Sequence, residues 1–167
     1  FIQRHYKNFT SMSWVYSCGA GANYGTALES ALKMGETIHI PSCCYEIEEY
    51  IHGPNLQLTP QYNVIFFDGN DGASRRVEQV YKATRKVSNR AYLISNNPQL
   101  LSDDHVLSLS DTVSSELCPL VYLPFVQLLS FIVSNDLHSI YQHPLLKEFK
   151  AIAAAKTENF VNYDGDD

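Results

Sequence analysis

Glu29, Lys33 and Glu36 recur at positions i, i+4 and i+7 of the segment GTALESALKMGETIHIP, and His52 follows in EIEEYIHGP. On a 3.6-residue helix those three positions return to nearly one azimuth. The spacing therefore predicts a helix with an ionisable stripe, two carboxylates flanking one ammonium. Ala27, Leu28, Ala31 and Leu32 supply the opposite side, suited to packing against a sheet. Carboxylates and imidazoles are the groups that transfer protons near neutral pH, so this stretch holds an acid/base vocabulary. The same stripe would also serve as an ordinary helix-supporting Glu to Lys pair, worth about 0.3 to 0.5 kcal/mol. His52, placed after Glu48 and Glu49 where Gly53 and Pro54 stop a helix, would likewise serve as a cap on the last carbonyls.

The elements needed to position these residues alternate along the chain. Trp14 to Tyr16 begin a strand that runs into Gly19, Gly21 and Gly25, a tight turn that opens the Ala/Leu helix. A second strand is expected at 37–40, stopped by Pro41, and a helix at 43–51. Further strands are expected at 64–67, 91–94 and 105–109. Helices are expected at 73–87, at 117–133 as a buried apolar helix containing Pro119 and Pro124, and at 145–160. This alternation predicts a three-layer α/β/α sandwich around a mostly parallel, five-stranded, flavodoxin-like sheet. Ligands of such sheets bind outside the carboxyl ends of the strands. Glu36, where the helix gives way to the second strand, is expected to point, partly buried, into that crevice. Residues 1–12 read as a linker or the end of a connecting helix, 13–160 as the domain, and 161–167 as a flexible tail.

Composition narrows the function classes. The chain has 167 residues, 45% hydrophobic and 18% charged, as expected for one folded domain with a single core. Its formal charge of −6, from 12 basic and 18 acidic residues, argues against a nucleic-acid partner. No uninterrupted apolar stretch and no leader pattern suggest a membrane, so a cytoplasmic protein is expected. The four cysteines, with Cys43 and Cys44 adjacent, lack the spacing of a zinc site and read as reduced, packed thiols. Apart from His138 and His143, five apart across Pro144 and read as structural or surface residues, the histidines do not pair at metal-ligand spacing, so no metal is expected. GAGANYG after a strand suggests a dinucleotide fingerprint, but the next strand ends in Ile40, Pro41 and Ser42 without the acidic residue that would hold a ribose. No cofactor is expected, and Gly21 and Asn23 read better as part of a turn shaped for a sugar phosphate.

The combination ALESALKMGE with HGP resembles the second half of the sugar isomerase (SIS) domain proteins. The isomerase module of glutamine:fructose-6-phosphate aminotransferase carries ALEGALKLKE and then GELKHGP. Sixteen positions separate Glu36 from His52, the interval of the family pattern. The resemblance covers residues 14 to 70 well. It implies that Glu36 is the base that moves a proton between C1 and C2 of an open-chain sugar through an enediol or enolamine. It implies that His52 opens the sugar ring in the neighbouring subunit's site, which requires a homodimer. Lys33 and Glu29 are implied to position Glu36 and the substrate hydroxyls, and Lys156, in AAAKTENF, is a counterpart of the family's C-terminal lysine. Thr26 and Ser42 are weak stand-ins for the family's Ser/Thr-rich phosphate loop, which implies a preceding SIS domain outside this chain. Two departures stand out: Gly35 replaces a lysine, and EIEEYIHGP is more acidic than GELKHGP. They favour a phosphosugar aldose-ketose isomerase, or a deglycase of amine-linked sugar 6-phosphates. The alternatives are the isomerase domain of the aminotransferase and a phosphosugar-sensing module without catalysis.

Overall fold

The computed structural model describes residues 1–100, 102–109, 113–139 and 152. Among these, five parallel strands form one sheet in the order β2-β1-β3-β4-β5. They are β1 Val15–Gly19, β2 Ser42–Glu46, β3 Asn63–Phe67, β4 Ala91–Ser95 and β5 Val106–Ser108. The helices are α1 Tyr6–Thr10, α2 Ala22–Ile38, α3 Ile47–Ile51, α4 Ser74–Thr84 and α5 Cys118–Leu137. The predicted sandwich and five-stranded sheet are present, with every pairing parallel.

The three central strands, β1, β3 and β4, are buried at every position, as expected for a parallel sheet covered on both faces. Alternate residues feed two cores. Ile65, Phe67, Tyr92 and Ile94 pack with Met34 and Ile38 of α2 and with Tyr122, Val126 and Leu129 of α5. Val64, Phe66 and Leu93 face Ile47 and Tyr50 of α3 and Val77, Val80 and Tyr81 of α4. The N-terminal segment, expected as a linker, contributes Ile2, Phe9 and Met12 to the first of these cores, and His5 Nε2 lies 2.8 Å from the Asp104 carbonyl.

Three local expectations are corrected. The strand expected at 37–40 is the last turn of α2, which continues through Ile38 and ends at His39 in the left-handed region (φ 62°). Continuing the helix keeps Met34 and Ile38 in the core and lets the Thr37 hydroxyl donate to the Lys33 carbonyl at 2.7 Å. The strand is Ser42–Glu46 instead, so the helix expected from 43 begins at Ile47, behind a reciprocal capping box between Glu46 and Glu49. Gly25 lies inside α2 rather than in the turn before it. The turn is Ala20–Gly21: a Cβ at Gly19 would stand 2.4 Å from the Asn23 carbonyl oxygen, and Gly21 has φ 54°.

The apolar helix is also longer than expected. α5 spans 20 residues and reaches a mean hydropathy of 1.5, long and apolar enough by composition to cross a bilayer, but Cys118, Tyr122, Val126, Leu129 and Val133 are buried in the domain core. The helix expected at 145–160 and the tail at 161–167 lie outside the described residues, apart from Ile152. At the amino edge of the sheet, Trp14 is half-exposed and stacks on Tyr62 with ring centroids 6.1 Å apart.

Candidate active site

α2 leaves the carboxyl end of β1 and returns along the sheet for 17 residues, about 25 Å. Its N-terminus stands at the carboxyl edge of the strands and its C-terminus at the amino edge. Glu36, in the last turn, therefore lies at the opposite end of the sheet from the crevice into which it was expected to point. Its side chain is half-exposed.

The predicted ionisable stripe forms. Lys33 Nζ lies 2.8 Å from Glu36 Oε2 and 3.6 Å from Glu29 Oε1. The hydrogen bond to Glu36 is the main reason that the Lys33 ammonium is held above its ordinary pKa, with both carboxylates adding Coulombic stabilisation. One face of the network borders an open groove of about 560 Å³, lined by Leu28, Ala31, Leu32, Gly35, Glu36, Ser42 and Cys44. The groove runs between α2 and the edge strand β2. Gly35 accounts for the closeness of these elements: a Cβ there would meet Ser42 Oγ at 3.2 Å. Ser42 in turn donates to the Ala31 carbonyl at 2.5 Å, so its hydroxyl ties β2 to α2.

His52 is exposed at the C-terminus of α3, with its backbone N–H donating to the Glu49 carbonyl. The acidic residues before it, read from sequence as its surroundings, have other engagements. Glu48 receives Arg76 Nε at 2.6 Å and a second guanidinium nitrogen at 3.1 Å, and this arginine holds its carboxyl below the usual range. Glu46 and Glu49 complete the capping box. α2, which bears Glu36, packs on one face of the sheet and α3, which ends at His52, on the other, so the two residues stand on helices that the sheet separates.

The remaining sequence-predicted positions fall at the carboxyl edge. Gly21 is the N-cap of α2, and Asn23 and Thr26 occupy its first turns. Thr26 is buried and its hydroxyl donates to Asn23 Oδ1 at 3.1 Å. Lys156 lies outside the described residues. Of the cysteines, Cys18 and Cys118 are buried and Cys44 is half-buried, but Cys43 is exposed, against the expectation that all four are packed. Burial pushes the Cys44 thiol up to about 12.

Asp68, Gly69 and Asn70, which follow the strand expected at 64–67, form a loop tied down by several hydrogen bonds. Asp68 is buried and accepts from the Ser95 hydroxyl at 2.7 Å and from the Asn70 N–H at 3.0 Å. Its carbonyl accepts from Tyr122 at 2.7 Å. An Asp-Gly cluster at the end of a central strand was the available signal, and it does not distinguish a turn from a site.

No family model matches the chain. Among curated proteins it is similar to the isomerizing glutamine:fructose-6-phosphate aminotransferases of Xylella fastidiosa Temecula1, 27% identical over 125 residues and 74% of this chain, and of Wigglesworthia glossinidia brevipalpis, 24% identical over 145 residues. The chain spans about a fifth of the length of these relatives. Among solved structures it resembles a Clostridium difficile 630 protein provisionally named a phosphosugar isomerase (TM-score 0.78, 22% identity, 95% of this chain and 44% of that one). It also resembles the C-terminal domain of glucosamine-fructose-6-phosphate aminotransferase from Francisella tularensis (TM-score 0.68, 24% identity, 80% of this chain and 39% of that one). The tagatose-6-phosphate ketose/aldose isomerase of Escherichia coli gives the same TM-score, 0.68, at 16% identity, over 81% of this chain and 40% of that one. The chain thus shares the fold of these sugar phosphate isomerase and aminotransferase structures and is similar in sequence to the isomerizing aminotransferases.

Proposed function

We propose that the chain supplies the proton-transferring half of a phosphosugar isomerase, or of a deglycase acting on amine-linked sugar 6-phosphates. The observation that carries this reading is the Glu29–Lys33–Glu36 network. Lys33 grips one oxygen of Glu36 while the half-exposed carboxylate stands at the mouth of a groove. Held in that way, Glu36 removes a proton from C1 of an open-chain ketose derivative and returns it to C2, the step shared by isomerisation and by cleavage of the amine. The related proteins named as isomerases or aminotransferases of hexose 6-phosphates support the substrate class.

The separation of Glu36 from His52 makes the reaction an affair of more than one chain. Glu36 serves a site closed by a preceding SIS domain, and His52 reaches the equivalent site of a second copy, so the active form is a homodimer of two-domain chains. The exposure of both residues is what such sharing needs. Free thiols suit the reducing cytoplasm.

The test is turnover of fructose 6-phosphate and of a fructosamine 6-phosphate by the full-length protein and its Glu36→Gln variant, together with solvent-deuterium exchange at C1 and C2. Loss of both turnover and exchange in the variant, with sugar phosphate still bound, supports the reading. Retention of either at the parent's rate refutes it. Binding by the parent without turnover of either sugar would make the chain a sensing module.

A further inference from the structure

The order β2-β1-β3-β4-β5 has its switch point between β1 and β3, where doubly wound sheets seat their ligands. In this chain that point lies between the Ala20–Gly21 turn and the loop of Gly69, Asn70 and Asp71. α2 begins there with no side-chain cap and no acidic residue in its first turn, leaving the positive end of a 17-residue dipole to be met by something else. Asn23 of that turn is fully buried, yet its Nδ2 has no hydrogen-bond partner. A donor in that state marks a place prepared for an acceptor.

What stands in this place is Asp71. Its Oδ1 accepts from the Ala73 N–H at 2.8 Å, closing a turn two residues long just before α4. Its other oxygen, Oδ2, faces across the crevice: it lies 3.3 Å from where a Cβ on Gly21 would be and 3.0 Å from where one on Gly69 would be. Asn23 Nδ2 is 2.9 Å from that second point. Any side chain at Gly69 would collide with both groups, so the glycine is what lets carboxylate and amide approach the same small space.

We propose that the Asp71 carboxylate is a built-in anion that occupies the phosphate seat of this domain's own crevice, leaving a latent phosphate-monoester site that the wild-type chain keeps closed. A phosphate dianion entering between Gly21 and Gly69 would have to displace a charge of its own sign held there by the turn that precedes α4. Where this bears on the proposed reaction it rests on the reading above: the sugar phosphate sits against Glu36 at the other end of the sheet, one per chain, with its phosphate held by residues other than the first turn of α2.

Two variants test this. Asp71→Asn removes the charge but keeps an oxygen for the Ala73 N–H, so the turn before α4 is retained; Asp71→Ser removes more bulk. Each is titrated with inorganic phosphate and then with fructose 6-phosphate, following the backbone amides of residues 19–24 by NMR. The wild-type amides should stay unmoved at millimolar phosphate, while at least one variant should show saturable shifts with at least tenfold tighter apparent binding. Saturable shifts of Gly21 and Ala22 in the wild type, or no gain in either folded variant, overturn the proposal. The outcome is separable from that of Glu36→Gln, which reads turnover and leaves these amides untouched.

Discussion

The two ends of one sheet treat charge in opposite ways. At the amino edge, Glu29, Lys33 and Glu36 form a network that is about one-third to one-half exposed beside an open groove. At the carboxyl edge, Asp68 is fully buried with its oxygens engaged by Ser95 and Asn70, and Asp71 closes the turn just before α4. The first arrangement leaves a carboxylate available to something that arrives; the second uses carboxylates to finish the fold. In a sheet of this order the carboxyl edge is where a ligand is sought first, so the comparison shows that position in a fold names a candidate and the state of its side chains decides.

The largest effect expected from breaking this contrast is on chemistry at the amino edge. Glu36→Gln in the full-length protein should lower kcat by about 10²- to 10⁴-fold, the range of a general base, with KM nearly unchanged in steady-state assays. His52→Ala should be similarly impaired. Because the two residues are proposed to meet only across chains, an equal mixture of the two inactive variants, refolded together, should recover about a quarter of parental activity. Recovery of none would mean that both residues come from one chain.

On the stability side, Met34 is fully buried beneath the ionisable stripe, and Met34→Ala should cost about 2 to 5 kcal/mol in denaturant unfolding. Tyr122→Phe removes the hydroxyl bonded to the Asp68 carbonyl and should cost about 1 kcal/mol, localised by hydrogen exchange to the carboxyl edge. Arg76→Ala, which breaks an exposed pair with Glu48, should change stability by less than about 1 kcal/mol. Alkylation gives a subtler contrast along β2. Exposed Cys43 should react first with iodoacetamide at pH 8, whereas Cys44, half-buried and pushed up to about 12, should remain unmodified until the protein unfolds.

The strands at Asn63–Phe67 and Ala91–Ser95 were legible because short apolar runs bounded by turn residues have few other uses. β2 was not. Its sequence, SCCYE, lacks the β-branched residues that mark strands, while Thr37 and Ile38 nearby carry them and belong to a helix. The Glu29–Lys33–Glu36 stripe was visible from spacing alone, since helical periodicity fixes which side chains are neighbours. Which end of the sheet Glu36 occupies was not visible, because that depends on α2 running its full length back past the strands. Asp71 was invisible for a different reason: its place opposite Gly21 arises from a loop conformation that joins residues 50 positions apart, and no local pattern encodes it.

Trp14 stacks on Tyr62 at the amino edge, and it is the chain's one tryptophan. The molecule therefore carries its one indole at the end of the sheet where Glu36 lies and none at the end where Asp71 lies. Emission excited selectively from indole will sense whatever settles over that end while remaining silent to events at the other, an optical asymmetry written into the sequence without any label.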